Sequence, residues 1–318
     1  MEPKANPSEN EIKDAAIALK EGKLVAFPTE TVYGLGADAT NDRAVHRIFS
    51  VKNRPTNHPL IVHISSMSYL DKWAIDIPGY AMRLAREFWP GPMTLILKRS
   101  DLAKNFITGG QDCVGIRVPA NSIALKLLNH FEQLGGEGVA APSANRFGAV
   151  SPTTAESVSH ELKLYLSPDD LILDGGHSEI GIESTIIECL SESPNILRPG
   201  FISKEIVESV CGEHYLQSAE SSIKVPGLMF SHYAPLAKVV LDTSASPGDG
   251  FLAMSEIDTP SGAIRLGSPA TIEQYAKILY LALRMADKKR LNRVVVIQPP
   301  GPGLALAIRD RLSKAAAR

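Results

Sequence analysis

The chain has 318 residues, of which 44% are hydrophobic, and a formal net charge of −2 at pH 7. Its length and composition predict a globular protein with a substantial core and favour two domains over one. The near-neutral charge lacks the basic excess of proteins that bind nucleic acid mainly through phosphates, and no apolar run reaches the roughly 18 residues of a membrane span, so we expect a cytoplasmic protein with weak or no direct nucleic-acid binding.

Helices and strands alternate along the first part of the chain. Ser8 and Glu11 form a capping box before an amphipathic helix, and "LVAF" predicts a buried strand. Asp42 is the expected cap of a second helix over "DRAVHRIFSV". Strands follow from Leu60 and in "MTLILK" and "CVGIRVP", with helices in "AMRLAREFW" and "SIALKLLNHF". This alternation predicts an α/β domain with functional loops at strand ends.

The periodicity fades from His214 to about Pro235 and returns beyond it. Short strands are predicted in "KVVLDT", "GFLAM", "GAIRL" and "RVVVIQ", with helices from Thr271 to about Lys288 and from Gly303. We therefore predict a first α/β domain over residues 1–211, a linker over 212–235 and a smaller α/β domain over 236–318.

The segment "FPTETVYGLGADA" places small hydroxyls where the first strand ends. Such residues often do no more than stabilise a turn by bonding nearby backbone. Gly34 and Gly36 suggest a dinucleotide loop, but the third glycine of that fingerprint is replaced by Ala39, and the chain contains no P-loop motif. We interpret the glycines as room for the backbone to bend beside a ligand.

Several polar side chains follow or precede predicted strands. Lys52 and Arg54 are two residues apart, so in an extended loop both can bind one polyphosphate; a solvated loop end is the alternative. Arg117 lies within a strand and is either paired structurally or directed at a carboxylate or phosphate. Ser143 and Asn145 suit phosphate or ribose oxygens, or serve as caps.

Cysteine and histidine spacing argues against a metal centre. The three cysteines, Cys113, Cys189 and Cys211, form no C-x-x-C pair, and the eight histidines form no H-E-x-x-H motif. His58 and His63 flank a strand, where a histidine is more often a satisfied structural residue than a functional one. We therefore expect no protein-bound structural metal.

Taken together, eight segments resemble the threonylcarbamoyl-AMP synthases, also called the YrdC-like family, in their long two-domain form. They are "FPTETVYGLGADA", "KNRPTNHPLIVHI", "WPGPMTLIL", "VGIRVP", "APSANRFGAVSPT", "DGG", "IESTIIE" and "ILRPG". The resemblance implies a twisted open α/β sheet with a concave cavity. It also implies a smaller C-terminal Rossmann-like α/β domain, joined by the linker.

The resemblance further implies a nucleotidyltransferase. Such an enzyme forms L-threonylcarbamoyladenylate and pyrophosphate from L-threonine, bicarbonate or CO₂, and ATP with Mg²⁺. The product is passed to a separate tRNA threonylcarbamoyl transferase complex, which modifies the adenosine beside the anticodon. An RNA-binding protein of the same fold is the alternative. A hydrogenase-maturation carbamoyl transferase would need acylphosphatase and zinc-finger segments, which this sequence lacks.

The resemblance also implies the site residues, which fall into three groups. The catalytic residues are Lys52 and Arg54. The threonine-binding residues are Thr31, His63, Arg117, Ala141 and Ser184. The ATP-binding residues are Lys52, Arg54, His58, Cys113, Ser143, Asn145, Ser151, Arg198 and Tyr233. Thr29, Glu30 and Tyr33 are expected to form the wall of the same pocket.

The linker departs from the family's usual signature. That signature reads Pro-Gly-Met-Lys-Tyr-Arg-His-Tyr-Ala-Pro, whereas this chain has "PGLMFSHYAP". The chain lacks the lysine and the arginine, which removes two cations that could contact phosphate. His232 and Tyr233 are kept, and we expect Tyr233 to stack on or cap the nucleotide.

Overall fold

The computed structural model describes residues 6–212, 222–227 and 233–317. Its helices are α1 (Glu9–Lys20), α2 (Asp42–Lys52), α3 (Leu70–Trp73), α4 (Gly79–Phe88), α5 (Asn105–Thr108), α6 (Ser122–Gln133), α7 (Ala155–Leu162), α8 (Lys204–Cys211), α9 (Ile272–Lys288) and α10 (Leu304–Ala316). Its strands are β1 (Val25–Phe27), β2 (Gly34–Asp38), β3 (Ile61–His63), β4 (Met93–Lys98), β5 (Cys113–Arg117), β6 (Val139–Ala140), β7 (Leu171–Ile172), β8 (Thr185–Glu188), β9 (Asn195–Arg198), β10 (Lys238–Leu241), β11 (Gly250–Leu252), β12 (Ile264–Gly267) and β13 (Arg293–Val296).

The larger sheet has nine strands in the order β7-β1-β2-β6-β3-β5-β4-β8-β9 and mixes parallel and antiparallel pairs. Helices cover both faces, which is why its central strands are buried along their whole length. Alternation along β1 directs Val25 and Phe27 toward α1 and α6, and Ala26 toward the cluster on the opposite face that includes α2. This confirms the predicted α/β fold with a large twisted sheet.

The glycines of the opening segment lie inside a strand, not in a bend. Gly34 and Gly36 belong to β2, and neither has a positive φ. A Cβ on Gly36 would lie 2.8 Å from a Val139 methyl and 2.9 Å from the Phe27 ring. The expectation of a bend is therefore wrong, because close packing against a neighbouring ring explains the glycine.

The ends of the first two helices test the predicted caps. The capping box of Ser8 and Glu11 is present at α1. At α2 the cap is Asn41, whose side chain accepts a hydrogen bond from the amide of Ala44, and Asp42 is the first helical residue. The prediction of Asp42 was wrong by one position, because either residue can serve as a cap.

The smaller sheet has four parallel strands in the order β10-β13-β11-β12. Its core, which includes residues of α9 and α10, continues into the larger unit through Val32, Val150 and Ile182. Within the predicted linker, residues 213–221 and 228–232, including His232, lie outside the described residues. Among the described helices, none is long and apolar enough to cross a membrane.

Candidate active site

A cavity opens where several strands of the larger sheet end. Loops after β1 and β6, the ends of β3, β5 and β9, the start of β8 and the end of α2 supply its walls. The described lining residues are Thr29, Thr31, Val32, Tyr33, Gly34, Lys52, Arg54, Ile61, His63, Arg117, Ala141, Pro142, Ser143, Asn145, Phe147, Glu183, Ser184, Arg198, Pro226, Gly227 and Tyr233.

The turn after β1 is organised by one of its two threonines. The Thr29 hydroxyl donates to the Val32 carbonyl at 2.6 Å and accepts from the amides of Thr31 and Val32, each at 3.2 Å. Thr29 therefore does the turn-stabilising work expected of a small hydroxyl. The Thr31 hydroxyl lies 2.8 Å from that of Thr29 and also accepts from Arg117.

Arg117 lines the cavity with its guanidinium already held in place. Its Nη2 donates to Oε1 of Glu30 at 2.5 Å, its Nη1 to the Thr31 hydroxyl at 2.9 Å and its Nε to the Gly91 carbonyl at 3.3 Å. Both partners of the ion pair are buried. These contacts with described residues use three of the five guanidinium N–H groups. Arg117 is therefore structurally paired, and its contact with a ligand stays a prediction.

Lys52 ends α2 with its ammonium buried against the loop after β6. Its Nζ donates to the carbonyls of Ser143 and Asn145, and its own carbonyl accepts from the amide of Phe147 at 2.8 Å. Burial, together with the nearby charge of Arg54, holds the pKa of Lys52 well below its usual range. A polyphosphate beside this amine would favour its charged form.

Arg54 lies on the cavity wall beside an aromatic ring. Its Nη2 donates to the Pro59 carbonyl at 2.9 Å, and its guanidinium lies 5.5 Å from the centre of the Phe147 ring. Burial lowers the pKa of Arg54 to about 10, so it keeps its charge at neutral pH. Asn53 connects Lys52 to Arg54 in a left-handed conformation with φ 52°.

Three polar atoms at the cavity are buried without a hydrogen-bond partner among the described residues. They are Nδ1 of His63, Nε of Arg54 and the side-chain oxygen of Asn145. Burial and the neighbouring charge of Arg117 lower the pKa of His63 to about 3, so its ring is neutral. An unpaired buried polar atom costs about 1–3 kcal/mol. Three such atoms lie around this one cavity.

Ser184 and Arg198 are adjacent residues of the cavity wall. The Arg198 guanidinium donates to the Ser184 carbonyl at 2.9 and 3.2 Å and to the Pro226 carbonyl at 2.9 Å. The Ser184 hydroxyl lies 2.8 Å from that of Thr94. Arg198 thus joins the larger sheet to the short described segment 222–227.

Glu183 is the one carboxylate among the described lining residues. It accepts hydrogen bonds from Ser151 at 2.6 Å, Tyr280 at 2.8 Å and Arg311 at 2.9 Å. Burial alone would raise the pKa of Glu183, but the charges of Arg311 and Arg198 and the hydrogen bonds outweigh it and lower the pKa to about 2. Glu183 is therefore ionised and paired across the two sheets.

The cavity gathers eleven of the fourteen residues predicted from the sequence. The other three are His58, Cys113 and Ser151, which do not line it. His58 packs against the Phe147 ring at 5.3 Å between centres, and Ser151 is fully buried against Glu183. Cys113 lies in an apolar cluster, where burial and nearby acidic groups raise the pKa of its thiol to about 11. Their proposed contact with ATP stays a prediction.

Some lining residues were not assigned from sequence. Phe147 follows Asn145 by two positions, and an aromatic residue so close to that loop is a signal that could have been used. Glu183 precedes Ser184, but its role depends on Arg311, which is 128 residues away. Pro226 and Gly227 lie in a segment without periodicity, which gave no signal.

No group of three or more histidine, cysteine or acidic side chains in the described part of the chain could hold a metal ion. The one described carboxylate at the cavity is already bonded to three side chains. A Mg²⁺ ion would therefore have to be held mainly by a bound ligand rather than by these residues.

The sequence and the fold are both similar to those of known proteins. Residues 17–200 match the Sua5–YciO–YrdC family model, described as "Telomere recombination", and residues 202–317 match the model "Threonylcarbamoyl-AMP synthase, C-terminal domain". The chain is 40% identical to a threonylcarbamoyl-AMP synthase of Pyrococcus abyssi and 38% identical to one of Bacillus subtilis, each over 96% of this chain and 93% of the relative. A crystal structure of P. abyssi Sua5 complexed with L-threonine superposes with a TM-score of 0.87 at 38% identity, covering 98% of this chain and 96% of that one.

Proposed function

The chain belongs to the threonylcarbamoyl-AMP synthase family, and we propose that the cavity described above is its active site. The enzyme is an adenylate-forming nucleotidyltransferase. It makes L-threonylcarbamoyladenylate and pyrophosphate from L-threonine, bicarbonate or CO₂, and ATP.

The observation that carries this assignment is the charge of the cavity wall. Four basic side chains line it among the described residues, namely Lys52, Arg54, Arg198 and Arg117, the last paired with Glu30, whereas the single carboxylate that lines it is Glu183. That carboxylate is neutralised by Arg311, a residue behind the wall. A small cavity with this excess of buried positive charge suits a polyphosphate.

We assign the threonine subsite to the side of the cavity near β3 and β5. The two remaining donors of Arg117 would bind the carboxylate, while Thr31, Ser184 and neutral His63 would contact the amine and hydroxyl. The backbone around Ala141 completes this side. Support comes from the L-threonine complex of P. abyssi Sua5, and a site with unpaired polar groups disfavours analogues that lack the hydroxyl.

We assign the nucleotide to the side formed by Lys52, Arg54 and the loop after β6. Two of the three N–H donors of Lys52 are bonded to described carbonyls, which leaves one for a phosphate oxygen. Ser143, Asn145 and Arg198 would bind further oxygens, and Tyr233 would cap the nucleotide. We also propose that the nucleotide is contacted by His58, Cys113 and Ser151.

The proposed chemistry is mainly positioning. The neutral α-amine of threonine attacks CO₂ to give a carbamate and loses a proton to solvent, and a partly dry pocket favours the neutral amine. A carbamate oxygen then bonds to the α-phosphorus, and the bond from that phosphorus to the departing pyrophosphate breaks. Lys52, Arg54 and Arg198 would align the triphosphate and offset the charge that develops on it.

The remaining partners belong to the same proposal. Mg²⁺ would enter bound to the triphosphate and neutralise part of its charge. The product would go to a tRNA threonylcarbamoyl transferase complex, in the cytoplasm. We also keep the proposed division into a catalytic unit (1–211), a linker (212–235) and a C-terminal unit (236–318), supported by the two separate sheets.

The test is pyrophosphate release by the full chain, with threonine and bicarbonate omitted in turn. We expect release to need both. Release without threonine would contradict the proposal. The RNA-binding alternative would instead be supported by tight, specific tRNA binding in a gel shift together with no ATP turnover.

A further inference from the structure

Arg311 lies on α10, a helix of the smaller unit, and its side chain contacts residues of the active-site wall. Its side chain is fully buried, and its Nε donates to Oε2 of Glu183 at 2.9 Å. Its guanidinium also lies 5.5 Å from the centre of the Tyr233 ring, which itself stacks on Tyr280 with centres 5.7 Å apart. Arg311 therefore contacts two lining residues without lining the cavity itself.

The ion pair between Arg311 and Glu183 affects the charge at the cavity wall, because Glu183 lines the cavity. Glu183 stays ionised at the wall of a cavity that, under the proposed function, takes a highly charged anion. Tyr280 and Ser151 donate neutral hydrogen bonds to it, whereas Arg311 is its ion-pair partner. Arg198, the other nearby cation, is itself bonded to the carbonyls of Ser184 and Pro226. Without Arg311, Glu183 would lose its ion-pair partner, and Arg198 alone would offset its negative charge at the cavity wall.

We propose that Arg311 is a positioning residue of the nucleotide site: it neutralises Glu183 and fixes Tyr233, so the cavity accepts ATP while the smaller sheet is docked. The C-terminal unit thereby supplies a charge that the larger sheet lacks at this point. The inference rests on the proposed function and adds a residue that acts through two others.

The experiment measures KM for ATP and for threonine in full-length variants. In Arg311→Gln we expect KM for ATP to rise about tenfold or more, because removing one partner of a buried ion pair leaves the other charge uncompensated. KM for threonine should change much less, because a zwitterion carries no net charge. The double variant Arg311→Gln with Glu183→Gln should recover most of the ATP affinity, since the unbalanced carboxylate is gone.

Arg293→Gln is the matched control. Arg293 also forms an ion pair, with Asp249 at 3.0 Å, but entirely within the smaller unit. Its loss should leave both KM values unchanged. Equal rises of the two KM values in Arg311→Gln, an unchanged KM for ATP, or a double variant no better than the single one would overturn the proposal. If Arg311→Gln alone does not fold, the double variant is compared with Glu183→Gln alone: the two should have similar KM values for ATP, and a large rise in KM for ATP on adding Arg311→Gln would overturn the proposal.

Calorimetric ATP binding without threonine separates this inference from the proposed reaction. If the natural chain binds ATP but releases no threonine-dependent pyrophosphate, the reaction is wrong. The order of ATP affinities among the variants still decides the role of Arg311. If the natural chain does not bind ATP, both proposals are wrong.

Discussion

Lys52 combines two tasks in one buried ammonium. It holds the loop after β6 through two carbonyls and also lines the cavity. Lys52→Gln separates these tasks, because an amide can still donate to a carbonyl but carries no charge. If the charge acts on the triphosphate, kcat should fall about 100-fold, as when a donor to a developing charge is removed.

Pyrophosphate release measures this effect, and circular dichroism checks the fold. Lys98→Gln is the control, since Lys98 is an exposed lysine paired with Asp76. Near-normal kcat in Lys52→Gln would restrict Lys52 to a structural role.

His63 makes the stability of the fold depend on pH. Its folded pKa is about 3, against an ordinary value of 6.5. Between these values the unfolded chain takes up a proton that the folded chain does not, so His63 destabilises the fold as pH drops below 6.5 and has no such effect above it. His63→Gln removes this penalty.

Urea unfolding at a series of pH values from about 7.5 to 5 tests the sign. The free energy of unfolding of His63→Gln, relative to the natural chain, should rise below pH 6.5 by at most about 1.4 kcal/mol per pH unit. The same substitution at the exposed His160 is the control. A difference that stays constant with pH would contradict the prediction.

At the scale of elements, the end of α2 directs two cations into one cavity. Asn53 follows the helix with φ 52°, and this left-handed turn lets the buried side chains of Lys52 and Arg54 both reach the wall. A β-branched residue is disfavoured at such a φ by about 1–2 kcal/mol. Asn53→Ile should therefore lower stability and raise KM for ATP.

Arg290 provides the matched control for that prediction. It is also exposed, also follows a helix and has φ 54°, but it lies away from the cavity. Arg290→Ile should cost similar stability in thermal unfolding and leave KM for ATP unchanged. If both variants raise KM equally, the position of the turn is not what matters.

The sequence predicted most elements because periodicity is local. β4 matches "MTLILK" residue for residue, and α9 begins one residue after its predicted start, Thr271. β2 was missed because its glycines resemble a loop, and its strand character comes from pairing with β1 and β6. The family motifs predicted most of the cavity, whereas the pair of Glu183 and Arg311 depends on docking between distant segments.

At the scale of the whole molecule, α9 of the smaller unit packs against a segment of the larger unit that is hydrogen-bonded to the turn after β1, which carries Thr31. The amide of Gly181 donates to the Thr31 carbonyl at 3.2 Å, and that of Ile180 donates to the Glu30 carbonyl at 2.8 Å. Gly181 has φ 85°, and a Cβ there would lie 2.5 Å from Cα of Lys277 in α9. Backbone thus packs on backbone, with no room for a side chain.

Gly181→Ala should therefore force α9 away from the larger sheet and disturb the turn that carries Thr31. We expect a rise in KM for both threonine and ATP, and earlier protease cleavage between the two units. Gly110→Ala is the control, because Gly110 has φ 84° but no heavy atom within 4 Å of an added Cβ. It shares the backbone strain, about 1–2 kcal/mol, without the collision. Equal kinetics in the two variants would mean that close docking of the smaller unit does not shape the active site.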